Sequence, residues 1–271
     1  MHLRRALLVA ALLAAMVGCA TRTPSPDATP QAPGKAAAPA KADPKLGPGD
    51  KVKPAEKVSL KAADGVTLDG GWRPAATKAK AGVVLVPMLG RAHDDYAGFS
   101  QALAGYNVAS LAVSLRGHGK SQAPGGKAAD KFGADDWKKA RADIAAAVAA
   151  LREKVGEAPV VVVGASIGAN LAVLYASEQP DKVQGLVLLS PGLDYHGVTI
   201  TEPFGKLKTK PTMVINASDD HQAVPAAKLQ VLHDPARFTM LQYDGSDHGT
   251  ELLGKHPQIV SKLIAWLDKL R

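Results

Sequence analysis

Ser166 stands in Gly164-Ala165-Ser166-Ile167-Gly168, directly after the apolar run Pro159–Val163 and at the start of a helical stretch. On so tight a strand-to-helix turn the flanking glycines allow close backbone packing, and the adjacent helix N-terminus supplies oriented N–H groups and a positive dipole end for a developing oxyanion. No Gly-Lys-Ser or Gly-Lys-Thr follows, so the turn is not a nucleotide phosphate loop. A serine hydroxyl is a weak nucleophile by itself. It needs a base within hydrogen-bond reach and a carboxylate that fixes the tautomer of that base. Eight histidines compete for the first role. Metal chemistry has less support: His93-Asp94-Asp95 and Asp219-Asp220-His221 contain ligand types without metal-ligand spacing. A single cysteine excludes a multi-cysteine zinc or iron–sulfur site and a disulfide framework. No metal and no cofactor are expected.

The elements around Ser166 follow from the distribution of apolar residues. Lys57–Ala62 and Val66–Gly71 have strand character and flank Ala63-Asp64-Gly65, a hairpin signal. Gly82–Met88, Asn107–Leu115, Pro159–Val163, Val183–Leu189 and Thr212–Ile215 are short, nearly continuous Val/Ile/Leu runs. Strands apolar on both faces belong to a covered parallel sheet. Helical stretches are predicted at Asp95–Ala104, Asp135–Lys154, Ile167–Ser177, Pro225–Leu232 and His256–Leu270. The alternation predicts an α/β fold: a mostly parallel central sheet, opened by an N-terminal hairpin, with helices on both faces. In such sheets the working residues lie at the C-terminal ends of the strands.

With these blocks in place the chain resembles the α/β-hydrolase superfamily over roughly residues 58–270. Besides the serine turn, Ser114-Leu115-Arg116-Gly117-His118-Gly119-Lys120-Ser121 is similar to the D-x-R-G-H-G-x-S turn of that family, with Ser114 in place of the usual Asp. Leu188-Leu189-Ser190-Pro191-Gly192 continues the match. The resemblance implies the chain order serine, acid, histidine. It therefore implies His248, in Gly245-Ser246-Asp247-His248-Gly249 between the Phe238–Tyr243 strand and the last helix, as the base. For the acid it selects Asp220 in Asn216-Ala217-Ser218-Asp219-Asp220, with Asp219 as the alternative one residue away. The oxyanion donors it implies are the backbone N–H groups of Ile167 and Leu89, although the usual His-Gly before the second donor is replaced by Pro87-Met88. Tyr195 and His196 are read equally as facing substrate and as surface-loop residues. About 20 residues, 192–211, separate the Ser190 block from the acid strand, so little or no lid domain is expected. The expected activity is that of a serine hydrolase, a carboxylic-ester hydrolase working through an acyl-enzyme on small or extended acyl substrates. A peptidase or thioesterase on the same residues, and a non-catalytic envelope binding protein on a hydrolase scaffold, are the alternatives.

Upstream the chain changes character. Arg4 and Arg5 precede an unbroken apolar run, residues 6–17, of twelve residues. This is too short for a hydrocarbon core that needs about 20 and fits a secretory leader. Met16-Val17-Gly18-Cys19 resembles the lipobox of bacterial lipoproteins, which implies cleavage before Cys19 and its lipidation. Ala20 after it implies outer-membrane sorting within a bacterial cell envelope. Residues 1–18 are thus expected to be a signal peptide, 19–54 a Pro/Ala/Lys tether without large apolar side chains, and 55–271 the hydrolase domain.

That division also locates the charge. Of the net +8, residues 54–271 carry 25 basic against 22 acidic side chains, and the remaining excess lies upstream. Only 4% of residues are aromatic, a poor supply of stacking platforms. No nucleic acid is therefore expected as a partner. A monomer is expected, meeting a small-molecule or acyl substrate and touching the membrane through Cys19.

Overall fold

The computed structural model describes residues 52–207, 210–231 and 237–270. The expected signal peptide, Cys19 and nearly all of the expected tether lie outside these residues, as do His233 and Leu232. Among the described residues ten strands run in chain order: β1 Glu56–Lys61, β2 Thr67–Arg73, β3 Ala81–Val86, β4 Val108–Val113, β5 Val160–Ala165, β6 Gly185–Leu189, β7 Asp194–Tyr195, β8 Val198–Thr199, β9 Thr212–Ala217 and β10 Phe238–Tyr243. Eight of them form one sheet in the order β1-β2-β4-β3-β5-β6-β9-β10. The β1–β2 hairpin joins β4 antiparallel, and every later pairing in this sheet is parallel. This is the α/β-hydrolase fold.

Both faces of the sheet are covered, which accounts for the continuous apolar strands. In β5, Val160 and Val162 face one core with Leu171, Leu151 and Trp137, while Val161 and Val163 face a second core with Leu103, Leu263 and Trp266. Helices α1 Ala97–Gly105, α7 Glu251–Lys255 and α8 Gln258–Leu267 supply the second core. The first is built by α2 Ala134–Lys139, α3 Arg141–Val155, α4 Ile167–Glu178, α5 Thr201–Gly205 and α6 Val224–Val231. Side chains alternate across a strand, so a run buried on both sides is apolar at most of its positions.

Several boundaries differ from the sequence expectation. The helix expected over 135–154 is two helices, turned at Ala140, where ψ is −10°. No glycine or proline marks that turn. Instead the two pieces serve different buried partners: Trp137 packs against Phe132 and His118, whereas Asp143 receives Arg116. Strand β3 stops at Val86 because Pro87 has no N–H to continue the ladder. Asn107 lies outside β4 at φ 59°, with its side-chain carbonyl accepting from Thr77 N–H at 3.0 Å. Three elements had no sequence signal strong enough to be drawn: α5, α7 and the β7–β8 hairpin.

Parallel register fixes where the chemistry can sit. Val86 is level with Gly164, Ala165 with Leu189, Leu189 with Ile215, and Ala217 with Tyr243. The residues that follow these positions, Pro87–Leu89, Ser166, Ser190, Ser218–Asp220 and the loop to His248, therefore emerge along one edge of the sheet.

Candidate active site

Ser166 is held in an unfavourable backbone conformation, φ 52° and ψ −121°. A left-handed φ on a non-glycine residue persists only where the surroundings enforce it. Here the Ser166 N–H is tied to the Leu189 carbonyl at 2.9 Å, and its own carbonyl accepts the Ala169 N–H at 2.9 Å. The two motif glycines make the turn possible. A Cβ on Gly164 would lie 2.4 Å from the Gly168 carbonyl oxygen, and one on Gly168 would lie 2.6 Å from the Pro87 carbonyl oxygen. Close approach at Gly168 also sets the post-β3 turn, which carries Leu89, against the helix that begins at Ile167.

Of the two neighbouring aspartates, only Asp220 meets the histidine. His248 Nδ1 and Asp220 Oδ2 are 2.8 Å apart, so Nδ1–H donates to the carboxylate and Nε2 is left to exchange a proton. Asp219 is exposed, and the Ser218 hydroxyl donates to it. Burial raises the Asp220 carboxyl, but hydrogen bonds from His248, Ser190 and the Ala223 N–H outweigh it and hold the group below the usual carboxylate range. The loop after β10 is secured from several directions. Gly249 N–H donates to Ser190 Oγ at 2.9 Å, and the Thr250 hydroxyl donates to Asp95. Gly249 also packs against Ala165: a Cβ built on it would stand 3.5 Å from the Ala165 side chain. His248 and Ser166 thus lie in adjoining segments.

Met88 explains part of the Pro87-Met88 departure. Its sulfur lies 3.4 Å from the Thr250 hydroxyl oxygen and fills the space beside Gly249, where a Cβ would come within 2.7 Å of it. The side chain that replaces the usual glycine therefore supports the histidine loop.

The remaining histidines have other surroundings. His118 is buried, with Nδ1 3.1 Å from the Arg116 carbonyl, and burial lowers its pKa. His221 is exposed. His93 forms a look-alike of a catalytic group, with Nδ1 3.0 Å from Ser114 Oγ and 3.4 Å from Asp69 Oδ2. Both partners share one ring nitrogen and Ser114 is fully buried, so no proton relay to a substrate exists there. Among the described residues no group of three or more His, Cys, Asp or Glu could hold a metal ion, and no helix is long and apolar enough to cross a membrane.

Two contributors escaped the sequence reading. Ser190 lies in the Leu188–Gly192 segment, yet its bridge between the Asp220 and His248 loops depends on non-local contacts. Asn170, one turn beyond Ser166, is fully buried; its carbonyl accepts the Gly192 N–H at 3.1 Å and its amide donates to the Val198 carbonyl at 2.8 Å.

A family model described as serine aminopeptidase, S33, matches residues 77–244, more than half of the chain. The chain belongs to this hydrolase family. The S33-type match spans β3 to the end of β10 and so includes Ser166 and Asp220, with His248 just beyond it. Lipase LipV of Mycobacterium tuberculosis is 40% identical over 65 residues, which is 24% of this chain and 25% of that protein. The chain therefore aligns with about a quarter of that relative's length. Among solved structures, the Pyrococcus furiosus esterase Pf2001 superposes with a TM-score of 0.64 at 17% identity, covering 79% of this chain and 90% of that one. A thermostable carboxyl esterase from Bacillus coagulans gives 0.66 at 14% identity, covering 80% and 99%. At such identities the likeness is one of fold.

Proposed function

We propose that this S33-type family member is a lipid-anchored serine hydrolase of the cell envelope that cleaves carboxylic esters through an acyl-enzyme. The observation that carries the reading is the 2.8 Å Asp220–His248 pair beside a serine held at φ 52° on a strand-to-helix turn. Ser166 Oγ attacks the ester carbonyl and its proton passes to His248 Nε2. Asp220 keeps the imidazole in the right tautomer and stabilises the imidazolium. The backbone N–H groups of Leu89 and Ile167 receive the oxyanion. His248 then protonates the leaving oxygen, and water releases the acyl group by the same proton path in reverse. Between β6 and β9 the described chain holds only the small hairpin and the five-residue α5, which favours small or extended acyl substrates over a deeply enclosed lipid.

A fluorophosphonate probe tests the chemistry. Wild-type protein is expected to label and Ser166→Ala is not, with p-nitrophenyl acetate turnover falling about 10⁴-fold or more. Equal labelling of both, or of neither, overturns the proposal, and the second result would fit the binding protein. The family description favours one second reading, a peptidase on the same residues. Aminoacyl p-nitroanilides cleaved faster than matched esters would establish it.

Anchoring rests on the Met16-Val17-Gly18-Cys19 lipobox resemblance. Two acyl chains bind a bilayer stably, since each buried methylene contributes about 0.8 kcal/mol. Full-length protein is expected in the detergent phase and Cys19→Ser in the aqueous phase. An unchanged distribution removes the anchor.

A further inference from the structure

Tyr195 stands at the reacting centre without a part in the scheme above. It lies on β7, in a two-residue hairpin whose turn residues His196 and Gly197 both have positive φ, 52° and 80°. That geometry matches the right-handed twist of paired strands. The hairpin is fixed from both ends. Asn170, on the nucleophile's own helix, binds Gly192 before it and Val198 within it, while His196 stacks on buried Trp137 at 5.7 Å between ring centroids. Gly192 makes the space for the phenol ring, since a Cβ there would fall 2.5 Å from it. Held in this way, the Tyr195 ring stands nearly perpendicular to the His248 imidazole, at 85° and 6.1 Å between centroids. Its hydroxyl donates to the Ser190 carbonyl at 3.2 Å, at the long end of the hydrogen-bond range, and lies beside the Ser166 hydroxyl.

A residue bordering both Ser166 and His248 borders the leaving group. The leaving oxygen is bonded to the carbon that Ser166 attacks and must lie within hydrogen-bond reach of Nε2, which protonates it. We propose that Tyr195 is a catalytic residue whose hydroxyl donates a hydrogen bond to the leaving oxygen as the bond to the acyl carbon breaks. The electron pair of that bond stays on the leaving oxygen, the proton comes from His248 Nε2, and Tyr195 keeps its own proton throughout. In this step the phenol O–H turns from the Ser190 carbonyl to the leaving oxygen. Burial, then the charge of Asp220, pushes the ionisation of the phenol up, so it remains a donor across the working pH range.

This inference rests on the proposed ester hydrolysis, and one experiment separates the two. The value of kcat/KM is measured for p-nitrophenyl, phenyl and ethyl acetate with wild type, Tyr195→Phe, Tyr195→Ala and Ser166→Ala. A hydrogen bond to a leaving oxygen gains value as that oxygen carries more charge. The Tyr195→Phe loss is therefore expected to grow from about twofold with p-nitrophenyl to about tenfold or more with ethyl acetate, the scale of one charge-assisted hydrogen bond. Tyr195→Ala is expected to follow the same trend with a further, leaving-group-independent loss. A Tyr195→Phe loss of equal size for all three esters, or no loss, overturns the role of the hydroxyl while leaving the ester hydrolase intact. Undiminished turnover by Ser166→Ala would instead overturn the reaction itself.

Discussion

Ser190 shows how much of the site hangs on single polar atoms. Its hydroxyl accepts the buried Gly249 N–H and bonds Asp220, so it fixes the histidine loop and the acid together. Ser190→Ala leaves that N–H without a partner, a change costing about 1–3 kcal/mol. We expect kcat to fall about tenfold with KM little changed, a cost of about 1.4 kcal/mol in the transition state. A change confined to KM would remove Ser190 from the positioning of the pair. Asp220 carries a pH signature of its own. Its folded pKa is depressed, so its stabilising contribution is complete above the unfolded value of about 4 and is lost as pH falls through the folded value. The stability difference between wild type and Asp220→Asn, followed by urea melts, is expected to narrow as pH drops below about 4. A constant difference down to about pH 2 would contradict that depression.

At the scale of elements, the Ser166 turn and its neighbour after β3 behave as one unit. The Pro87 carbonyl lies so close to Gly168 that a methyl group must push the Leu89 turn away from Ile167. Since removing one oxyanion donor typically costs about 10²- to 10³-fold, Gly168→Ala is expected to lower kcat by about 10²-fold. Circular dichroism should stay native, and full activity would show that Leu89 is not a donor. Strand and helix alternation and the turn around Ser166 were legible because each depends on neighbours in sequence. The break at Ala140 was not, because Trp137 and Asp143 are drawn to partners from distant segments. The β7–β8 hairpin was too short for periodicity, although His196-Gly197 after Asp194 carried a turn signal, with Gly197 N–H donating to Asp194 at 2.7 Å.

Across the whole molecule, Arg116 connects the N-terminal hairpin to the helical layer. It is buried between Asp143, 2.7 Å away and fully buried, and Asp64, 2.6 Å away on the β1–β2 turn. Removing one partner of such a pair strands a charge in the core, so Arg116→Met is expected to cost about 3–5 kcal/mol in denaturant unfolding. A loss below about 1 kcal/mol would mean that the network contributes no more than a surface pair. The sequence alone determined the fold class, the run of parallel strands and the place of Ser166, because strand burial and a strand-to-helix turn are written in consecutive residues. With the family resemblance it also narrowed the proposed acid to two adjacent aspartates. Which of them faces His248, and that Tyr195 stands beside both Ser166 and His248, only the tertiary structure decided. Those relations join loops from different strands, and a shift of one residue in a loop turns a side chain from the site to solvent.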